Sequence, residues 1–314
     1  MKTLIFGSKG MVGSSVSRIL EQDSKYELIL STREKTDLFN LDETKKLIED
    51  IKPNVVINAA AKVGGIYANN TQRFSFIVDN LKINMNILES CKPFSEIKII
   101  NLGSSCIYPL NAPNPITEEQ FMNGKLEPTN SPYAMAKLSS IEIGNSMTKE
   151  FGHEIINLMP TNLYGPHDYF LDSNSHVIPG LMQRMHKAKI KDEQEFFIWG
   201  SGNPLREFLH VDDLARAIKK VIEVKTNESL INVGSSKEIS IKKLAESLKN
   251  VIWYKGLLGF DKSKPDGNPR KLLDSTKILD LGWRPEVGLN QGLVDTYEWF
   301  TENIALWWVF PCWL

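Results

Sequence analysis

The chain is poor in cysteine, in net charge and in long apolar runs. Its three cysteines, Cys91, Cys106 and Cys312, are too scattered for a disulfide framework or a zinc site, which favours a reducing cytoplasm. The 37 Lys and Arg residues nearly balance the 38 Asp and Glu residues, so the net charge is -1. Such a chain has no field that attracts nucleic acid or an anionic membrane surface non-specifically. A nucleic-acid partner is therefore not expected.

The two ends of the chain carry only short apolar segments. The first is interrupted at Gly7 and lacks the hydrophobic region of a signal peptide. The last, Ile304 to Leu314, is strongly apolar but shorter than the roughly 20 residues that cross a bilayer as a helix. We expect no membrane span. Because the last segment would expose an apolar patch if uncovered, packing on the body, an oligomer interface, a displaced reading frame and the less favoured membrane anchor stay open as explanations.

The rest of the sequence is that of an ordinary globular protein. Its 314 residues, 42% of them hydrophobic and 24% charged, suggest two domains. Short apolar runs alternate with stretches of helical period. Strands are predicted at 4–6, 28–30, 55–57, 97–100 and 155–158, and helices at 11–20, 41–51, 77–88 and 134–151. This alternation predicts an α/β fold with a doubly wound parallel sheet of the Rossmann type.

The alternation fades after Tyr164, where loops with Pro, Gly, Asn and Asp separate shorter elements. A further helix at 211–224 and a strand at 230–233 indicate that part of this region returns to the first sheet. We therefore expect a dinucleotide-binding domain of residues 1–165 joined by about 205–234. Residues 166–204 and 235–314 would form a smaller, discontinuous substrate-binding domain.

A glycine-rich turn lies between the first predicted strand and helix. Gly7, Gly10 and Gly13 allow a tight turn whose backbone N–H groups can approach a pyrophosphate. The second strand does not end in the acid that would bind the ribose 2′-hydroxyl of NAD. Arg33, together with Lys9, could instead neutralise a 2′-phosphate. The preferred cofactor is therefore NADP(H).

Candidate catalytic residues occur at two further places. Tyr133 and Lys137 are four residues apart on a predicted helix, so they share one face. A nearby cation stabilises a phenolate and thereby lowers the phenol pKa toward neutral pH, where proton transfer takes place. Ser104 follows the predicted fourth strand, at the sheet edge where such folds bind ligands. A serine there can bind a carbonyl oxygen beside the tyrosine, as hydride transfer requires.

Together these segments resemble the extended short-chain dehydrogenase/reductase family of nucleotide-sugar enzymes. Within it, five blocks resemble the GDP-L-fucose synthases. They are Ala59 to Asn70, Gly103 to Pro109, Met159 to Asp168, Ser173 to Pro179 and Arg206 to Asp213. The resemblance implies NADPH-dependent conversion of GDP-4-keto-6-deoxy-D-mannose to GDP-L-fucose, by epimerisation at C3 and C5 and then reduction at C4. It also implies a homodimer.

The resemblance assigns roles to individual residues. Cys106 would be the base and His176 the acid of the epimerisation, since thiol and imidazole both exchange protons near neutral pH. Ser104, Tyr133 and Lys137 would serve the reduction. The cofactor would be held by Gly7, Lys9, Gly10, Met11, Val12, Gly13, Arg33, Ala60, Leu102, Gly103, Ser104, Ser105, Lys137, Pro160, Asn162, Leu163 and His176. The GDP-sugar would be held by Arg184, Trp199, Arg206 and Asp266.

Three alternatives stay open. A GDP-colitose synthase would invert C5 alone, and a nucleotide-sugar 4-epimerase would use tightly bound NAD with no net redox change, although Cys106 and His176 speak against it. A non-catalytic NADP(H)-binding sensor would keep the fold without the chemistry. The other four histidines show no metal-ligand spacing, and we assign no metal. They are His153, His167, His186 and His210.

Overall fold

A computed structural model describes residues 1–170, 175–264 and 266–305. The part of the apolar C-terminal segment from 306 to 314 lies outside the described residues. The strands are β1 (Lys2–Phe6), β2 (Glu27–Ser31), β3 (Val55–Asn58), β4 (Lys98–Leu102), β5 (Ile155–Pro160), β6 (Asn162–Tyr164), β7 (Glu195–Trp199), β8 (Leu205–His210), β9 (Leu230–Val233), β10 (Glu238–Ser240), β11 (Leu257–Asp261) and β12 (Arg270–Lys271).

The α-helices lie between these strands, as the sequence periodicity predicted for the first half of the chain. They are α1 (Met11–Glu21), α2 (Leu41–Ile51), α3 (Ile66–Thr71), α4 (Arg73–Cys91), α5 (Ser131–Phe151), α6 (Val177–Ile190), α7 (Val211–Glu223), α8 (Ile241–Ile252), α9 (Thr276–Asp280) and α10 (Leu289–Phe300). No helix in the described ranges is long and apolar enough to cross a membrane.

The main sheet has six parallel strands in the order β2-β1-β3-β4-β5-β9. Helices cover both of its faces, which is why its strands read as nearly continuous apolar runs. On one face α1 and α7 pack together, and on the other α4 packs between α2 and α5. Strands β2 and β3 lie on opposite sides of β1, so the strand order reverses there, and ligands are expected in the crevice at the carboxyl ends of these strands. The predicted doubly wound Rossmann-type fold is confirmed.

A row of asparagines crosses the buried centre of this sheet. Asn58, Asn101 and Asn157 are register partners on β3, β4 and β5. The Asn101 amide donates to Asn157 Oδ1 at 2.9 Å, and Asn58 donates to Asn101 Oδ1 at 3.3 Å. Each amide thus satisfies its neighbour, because a buried amide without a partner is costly. The row fixes the strand register just before the strands end at the crevice.

The second half of the chain builds smaller sheets and a second core. Strands β10, β8 and β12 form one sheet, to which β6 is added along β8, and β7 pairs with β11. Helices α6, α8 and α10 enclose a separate apolar cluster that includes Met182, Phe196 and Leu248. Strand β9 returns to the main sheet beside β5, so the chain crosses between the two parts more than once.

One buried carboxylate links these crossings. Glu207 on β8 is fully buried, and its Oε1 accepts from the Ser236 N–H at 2.7 Å while its Oε2 accepts from the Leu273 N–H at 3.1 Å. Burial raises the pKa of Glu207, and the two backbone donors oppose that rise. Without the carboxylate, the buried Leu273 N–H and the Ser236 N–H, on separate segments, would lose their acceptor.

We expect Glu207→Ala to lower the free energy of unfolding by about 3 kcal/mol, because it removes a fully buried carboxylate that accepts from the buried Leu273 N–H and from the Ser236 N–H. The measurement is urea denaturation followed by circular dichroism. Glu195→Ala, at an exposed position on β7, is the matched control and should change little. Equal effects of the two substitutions would contradict this account of Glu207.

Candidate active site

The turn between β1 and α1 has room for glycine only. Gly7 has φ +74°, and a Cβ on it would lie 2.8 Å from backbone atoms of Ala59 and Ala60 at the end of β3. A Cβ on Gly13 would lie 2.2 Å from the Gly7 carbonyl oxygen. The turn, the helix and the end of β3 therefore approach one another more closely than a residue with a Cβ atom would allow at these two positions.

The amino end of α1 is open to an anion. Its N-cap is Gly10, no side chain in the described part of the chain caps it, and its first turn holds no acidic residue. Met11 and Val12 begin the helix, and the first N–H groups of a helix lack partners within it. These groups and the helix dipole favour a negative group, so the turn fits the diphosphate of a dinucleotide.

The other residues predicted to hold the cofactor follow neighbouring strand ends. The Ala60 N–H donates to Asn58 Oδ1 at 3.2 Å, and the Gly103 N–H donates to the Leu158 carbonyl at 2.9 Å. Asn162 donates to the Glu207 carbonyl at 2.8 Å. Leu102 ends β4 and Pro160 ends β5, whereas Ser105 lies in the turn after β4 and Leu163 in β6, which follows β5. These residues line the same carboxyl edge as the glycine turn.

The charges expected to meet a 2′-phosphate stand beside an acid. Lys9 contacts Glu34 Oε2 at 2.6 Å, with both side chains mostly exposed, and the Arg33 guanidinium lies 5.6 Å from the centre of the Phe39 ring. Glu34 follows β2 by three residues and was not considered in the sequence analysis. Since exposed ion pairs are weak, Lys9 can exchange Glu34 for a phosphate at little cost.

The predicted catalytic residues of β4 and α5 meet in pairs. Lys137 Nζ donates to the Leu102 carbonyl at 2.6 Å, and the Tyr133 hydroxyl is hydrogen-bonded to Ser104. Ser104 Oγ also accepts from the Cys106 N–H at 3.2 Å. Successive turns of α5 thus match alternate residues after β4, because one helical turn and two extended residues have similar lengths. The structure brings Ser104, Cys106, Tyr133 and Lys137 together.

Asn130 continues the same pattern and was missed by the sequence analysis. Its side-chain amide lies 3.3 Å from the Cys106 sulfur, one turn before Tyr133. The signal was present, since a residue three positions before a helical tyrosine shares its face. Asn130 was not identified as a site residue because it lies just before the first residue of α5 and outside the sequence blocks that carry the family resemblance.

Burial governs the ionisation of this group. It lowers the pKa of Lys137 to about 8. It also raises the pKa of the Tyr133 phenol, with a smaller rise from Cys106, and the hydrogen bond with Ser104 opposes both. The lowered phenol pKa expected from the Tyr133 and Lys137 spacing is therefore wrong for the chain alone. Desolvation outweighs a cation that is 5.9 Å from the ring centre and itself buried.

His176 lies at the start of α6, in the second half of the chain. It is exposed, and its carbonyl accepts from the Gly180 N–H at 2.9 Å. Its charge acts on Asp168, a carboxylate only 8% exposed whose Oδ1 accepts from the Tyr169 N–H at 2.7 Å and whose Oδ2 has no hydrogen-bond partner among the residues that the structure describes. No hydrogen bond joins His176 to Cys106 within the described ranges, so the structure leaves these two predicted partners on separate elements.

Of the residues predicted to hold the sugar nucleotide, Arg184 and Trp199 are in contact, and Arg206 and Asp266 act on each other through their charges. The Arg184 guanidinium lies 4.8 Å from the centre of the Trp199 ring, and half of Trp199 is exposed. Asp266 accepts from the N–H and hydroxyl of Ser201, at 2.8 and 2.6 Å, and its charge acts on Arg206. A planar indole beside the Arg184 guanidinium suits a base or sugar face, and a guanidinium group also suits a diphosphate.

Asp168 predicts a dependence of stability on pH. Burial raises its pKa to about 6, while His176 and the Tyr169 N–H oppose the rise. The folded chain therefore holds this proton more tightly than the unfolded chain. The stabilisation is complete below about pH 4 and is lost as the pH rises through about 6.

Asp168→Asn removes this titration. We expect the free energy of unfolding of the variant to rise relative to that of the wild type by up to about 3 kcal/mol between pH 4 and pH 7. The measurement is denaturant unfolding at each pH. The exposed Asp280→Asn serves as the control. A difference between Asp168→Asn and wild type that does not change with pH would contradict the prediction.

Comparison with known proteins agrees with this geometry. Residues 3–234 match the NAD dependent epimerase/dehydratase family. The chain is 45% identical to GDP-L-fucose synthase of Escherichia coli (strain K12), over 96% of this chain and 97% of that one. It is 36% identical to GDP-L-colitose synthase of Yersinia pseudotuberculosis, over 96% and 99%.

A solved structure agrees as well. The GDP-L-fucose synthetase from Naegleria fowleri bound to NADP superposes with a TM-score of 0.88 at 32% identity, over 97% of this chain and 95% of that one. The resemblance to the GDP-L-fucose synthases, inferred from the sequence blocks, is confirmed. The chain belongs to the NAD dependent epimerase/dehydratase family.

Proposed function

We propose that this chain converts GDP-4-keto-6-deoxy-D-mannose to GDP-L-fucose with NADPH. The observation that carries the proposal is the position of Cys106, whose backbone N–H donates to the same Ser104 that contacts Tyr133 at the edge of a dinucleotide-binding sheet. A reductase alone needs the serine, tyrosine and lysine. The thiol adds the base that proton exchange beside a ketone requires. The similarity to the GDP-L-fucose synthases supports the same activity.

The epimerisation uses the acidity of the carbons next to the C4 ketone. The Cys106 thiolate takes the proton from C3 or C5, the C–H electron pair moves toward the C4 oxygen, and an enolate forms. His176 returns a proton to the same carbon from the opposite face, which inverts it. Ser104 and Tyr133 hydroxyls stabilise the charge on the C4 oxygen throughout.

The reduction uses the same oxygen. NADPH supplies the hydride to C4 when bound. Tyr133 gives its phenolic proton to the C4 oxygen, Ser104 holds that oxygen, and Lys137 binds the cofactor ribose and offsets the charge left on the phenolate. The buried Lys137, bonded to the Leu102 carbonyl, is held ready for this contact.

The remaining residues form the binding surfaces of the proposal. The glycine turn and the strand ends from Ala60 to Leu163 would hold the dinucleotide, with Arg33 and Lys9 toward its 2′-phosphate. Arg184, Trp199, Arg206 and Asp266 would hold the GDP-sugar. Residues 166–204 and 235–314 would then act as the substrate-binding domain, and His176 would reach both ligands.

A homodimer in the cytoplasm belongs to the same proposal. One face of α4 presents Phe74, Val78, Leu81 and Met85 at helical spacing, and Phe74 is 77% exposed. Met135 on the neighbouring α5 is also exposed. A second copy of the chain would cover this apolar stripe. The two described cysteines, Cys91 and Cys106, are both free thiols, as in a reducing compartment.

A GDP-colitose synthase is the second candidate, favoured by the 36% identity to such an enzyme. It would act on a 3-deoxy sugar and invert C5 alone. Competition between the 3-hydroxy and 3-deoxy substrates separates the two, because a colitose enzyme prefers the latter.

The test of function is turnover of GDP-4-keto-6-deoxy-mannose with NADPH in deuterated water, followed by product NMR. We expect NADPH oxidation matched by GDP-L-fucose that carries deuterium at C3 and C5. Cys106→Ser should slow deuterium uptake by about 100-fold or more while NADPH binding persists. Tyr133→Phe should suppress NADPH oxidation by a similar factor while deuterium uptake continues.

Cys91→Ala is the matched thiol control, since Cys91 is buried away from the site, and it should keep the wild-type rate per folded molecule. Deuterium at C5 alone would favour the colitose reaction. NADPH binding without any turnover would favour the sensor.

Gly13→Ala tests the cofactor turn. Its Cβ would meet the Gly7 carbonyl oxygen, so we expect NADPH affinity to fall about tenfold or more in a fluorescence titration. Gly288→Ala is the matched control, because its Cβ meets open space at the start of another helix. Wild-type affinity in Gly13→Ala would show that the turn does not hold the cofactor.

A further inference from the structure

We propose that Asn130, oriented by Glu127, is a positioning residue for the Cys106 thiol. The inference rests on the proposed function, in which Cys106 exchanges protons with the substrate. It adds a residue to that chemistry which neither the sequence blocks nor the reductase group includes.

The first support is the contact itself. The Asn130 amide lies 3.3 Å from Cys106 Sγ, within the range of a hydrogen bond to sulfur. The backbone of Cys106 is tied separately, since its N–H donates to Ser104 Oγ at 3.2 Å. Ser104 thus fixes where Cys106 sits, and Asn130 fixes where its sulfur points.

The second support is that the amide suits both forms of the sulfur. In one orientation Asn130 Nδ2 donates to the sulfur, which stabilises a thiolate, while the amide oxygen faces the Glu127 oxygens without a donor there. Rotated by 180°, the NH₂ group lies 3.3 Å from Glu127 Oε2 and 3.2 Å from the Glu127 carbonyl, and the amide oxygen faces the sulfur, where it can accept from S–H. An acid or base must hold its geometry in both protonation states, and an amide can serve both.

The third support is the rigidity of the loop that carries Asn130. Glu127 accepts from the N–H of Thr129 at 3.1 Å, from its hydroxyl at 2.5 Å and from the Asn130 N–H at 3.2 Å. Arg73 on α4 donates to the Pro128 carbonyl at 2.9 Å and to the Ser131 hydroxyl at 3.1 Å. Glu127 is therefore held where it can orient the Asn130 amide.

The experiment compares wild type with Asn130→Ala and Asn130→Asp. The Asp variant keeps the shape but loses the N–H donors and sets a carboxylate against Glu127, so it tests the amide even where the Ala variant folds poorly. Asn123→Ala is the matched control, because Asn123 is exposed and its amide contacts only Gln120 among the described residues.

Two readouts are used. The first is deuterium uptake at C3 and C5 of GDP-4-keto-6-deoxy-mannose with NADP⁺, which reports proton exchange without reduction. The second is the rate at which iodoacetamide alkylates Cys106, followed by mass spectrometry of its peptide, which needs no substrate. A loss of global fold would move Cys91 alkylation as well, whereas a local effect on the sulfur would not.

We expect both Asn130 variants to slow deuterium uptake by about tenfold or more and to change the Cys106 alkylation rate, with Asn123→Ala at wild-type values. Glu127→Ala should act in the same direction, and the Glu127→Ala, Asn130→Ala double variant should be no slower than Asn130→Ala alone. Variants of Asn130 within twofold of wild type in both readouts would overturn the proposal.

Failure of the proposed function looks different. Wild-type chain that neither exchanges deuterium nor forms GDP-L-fucose would refute that function whatever Asn130 does. The Cys106 alkylation rate would still test the contact between Asn130 and the Cys106 sulfur. A change of that rate confined to the Asn130 and Glu127 variants supports the contact, and an unchanged rate refutes it.

Discussion

The hydrogen bond from the buried Lys137 ammonium to the Leu102 carbonyl fixes the rest of the site. It joins the second turn of α5 to the last residue of β4 at 2.6 Å. From this point the helix and the extended chain run side by side, and Tyr133 meets Ser104 one turn earlier. Asn130 meets Cys106 one turn before that. A shift of α5 by one residue would break all three contacts at once.

This arrangement is held against electrostatic cost. Lys137 is 2% exposed, and burial lowers its pKa to about 8, so the ammonium loses its proton more readily in the fold than in water. Burial also disfavours ionisation of the Tyr133 phenol, because it raises the phenol pKa. Groups that proton transfer requires near neutral pH are thus kept where desolvation disfavours their charged forms, and the packed sheet and helices compensate. Burial likewise disfavours the charged form of Asp168, because it raises the pKa of that carboxyl to about 6.

The sequence was sufficient for the features that depend on local pattern. Alternation of apolar runs and helical periods predicted the parallel sheet, because strands covered on both faces must be apolar throughout. Glycine spacing predicted the turn, since Gly7 and Gly13 have no room for a side chain. The grouping of Ser104, Tyr133 and Lys137 followed from strand ends and helix faces.

What the sequence could not supply depends on tertiary burial. The pKa of Tyr133 moves opposite to the expected direction because burial is not visible in the spacing of Tyr133 and Lys137. Glu34 meets Lys9 only because the turn after β1 and the end of β2 fold together, where Ser8 donates to the Ser31 carbonyl. The link between Cys106 and His176 came from resemblance alone, and their roles stay predictions.

The two proposed reactions can share one site because they share one oxygen. Enolisation at C3 or C5 and hydride transfer at C4 both build negative charge on the C4 oxygen, so donors placed once on that atom serve every step. What distinguishes the steps is which face of the sugar a proton reaches. Inversion needs an acid and a base on opposite faces, which a single rigid element cannot present. A thiol after β4 and an imidazole at the start of α6 come from two separate parts of the fold, and closing them around a sugar would supply both faces.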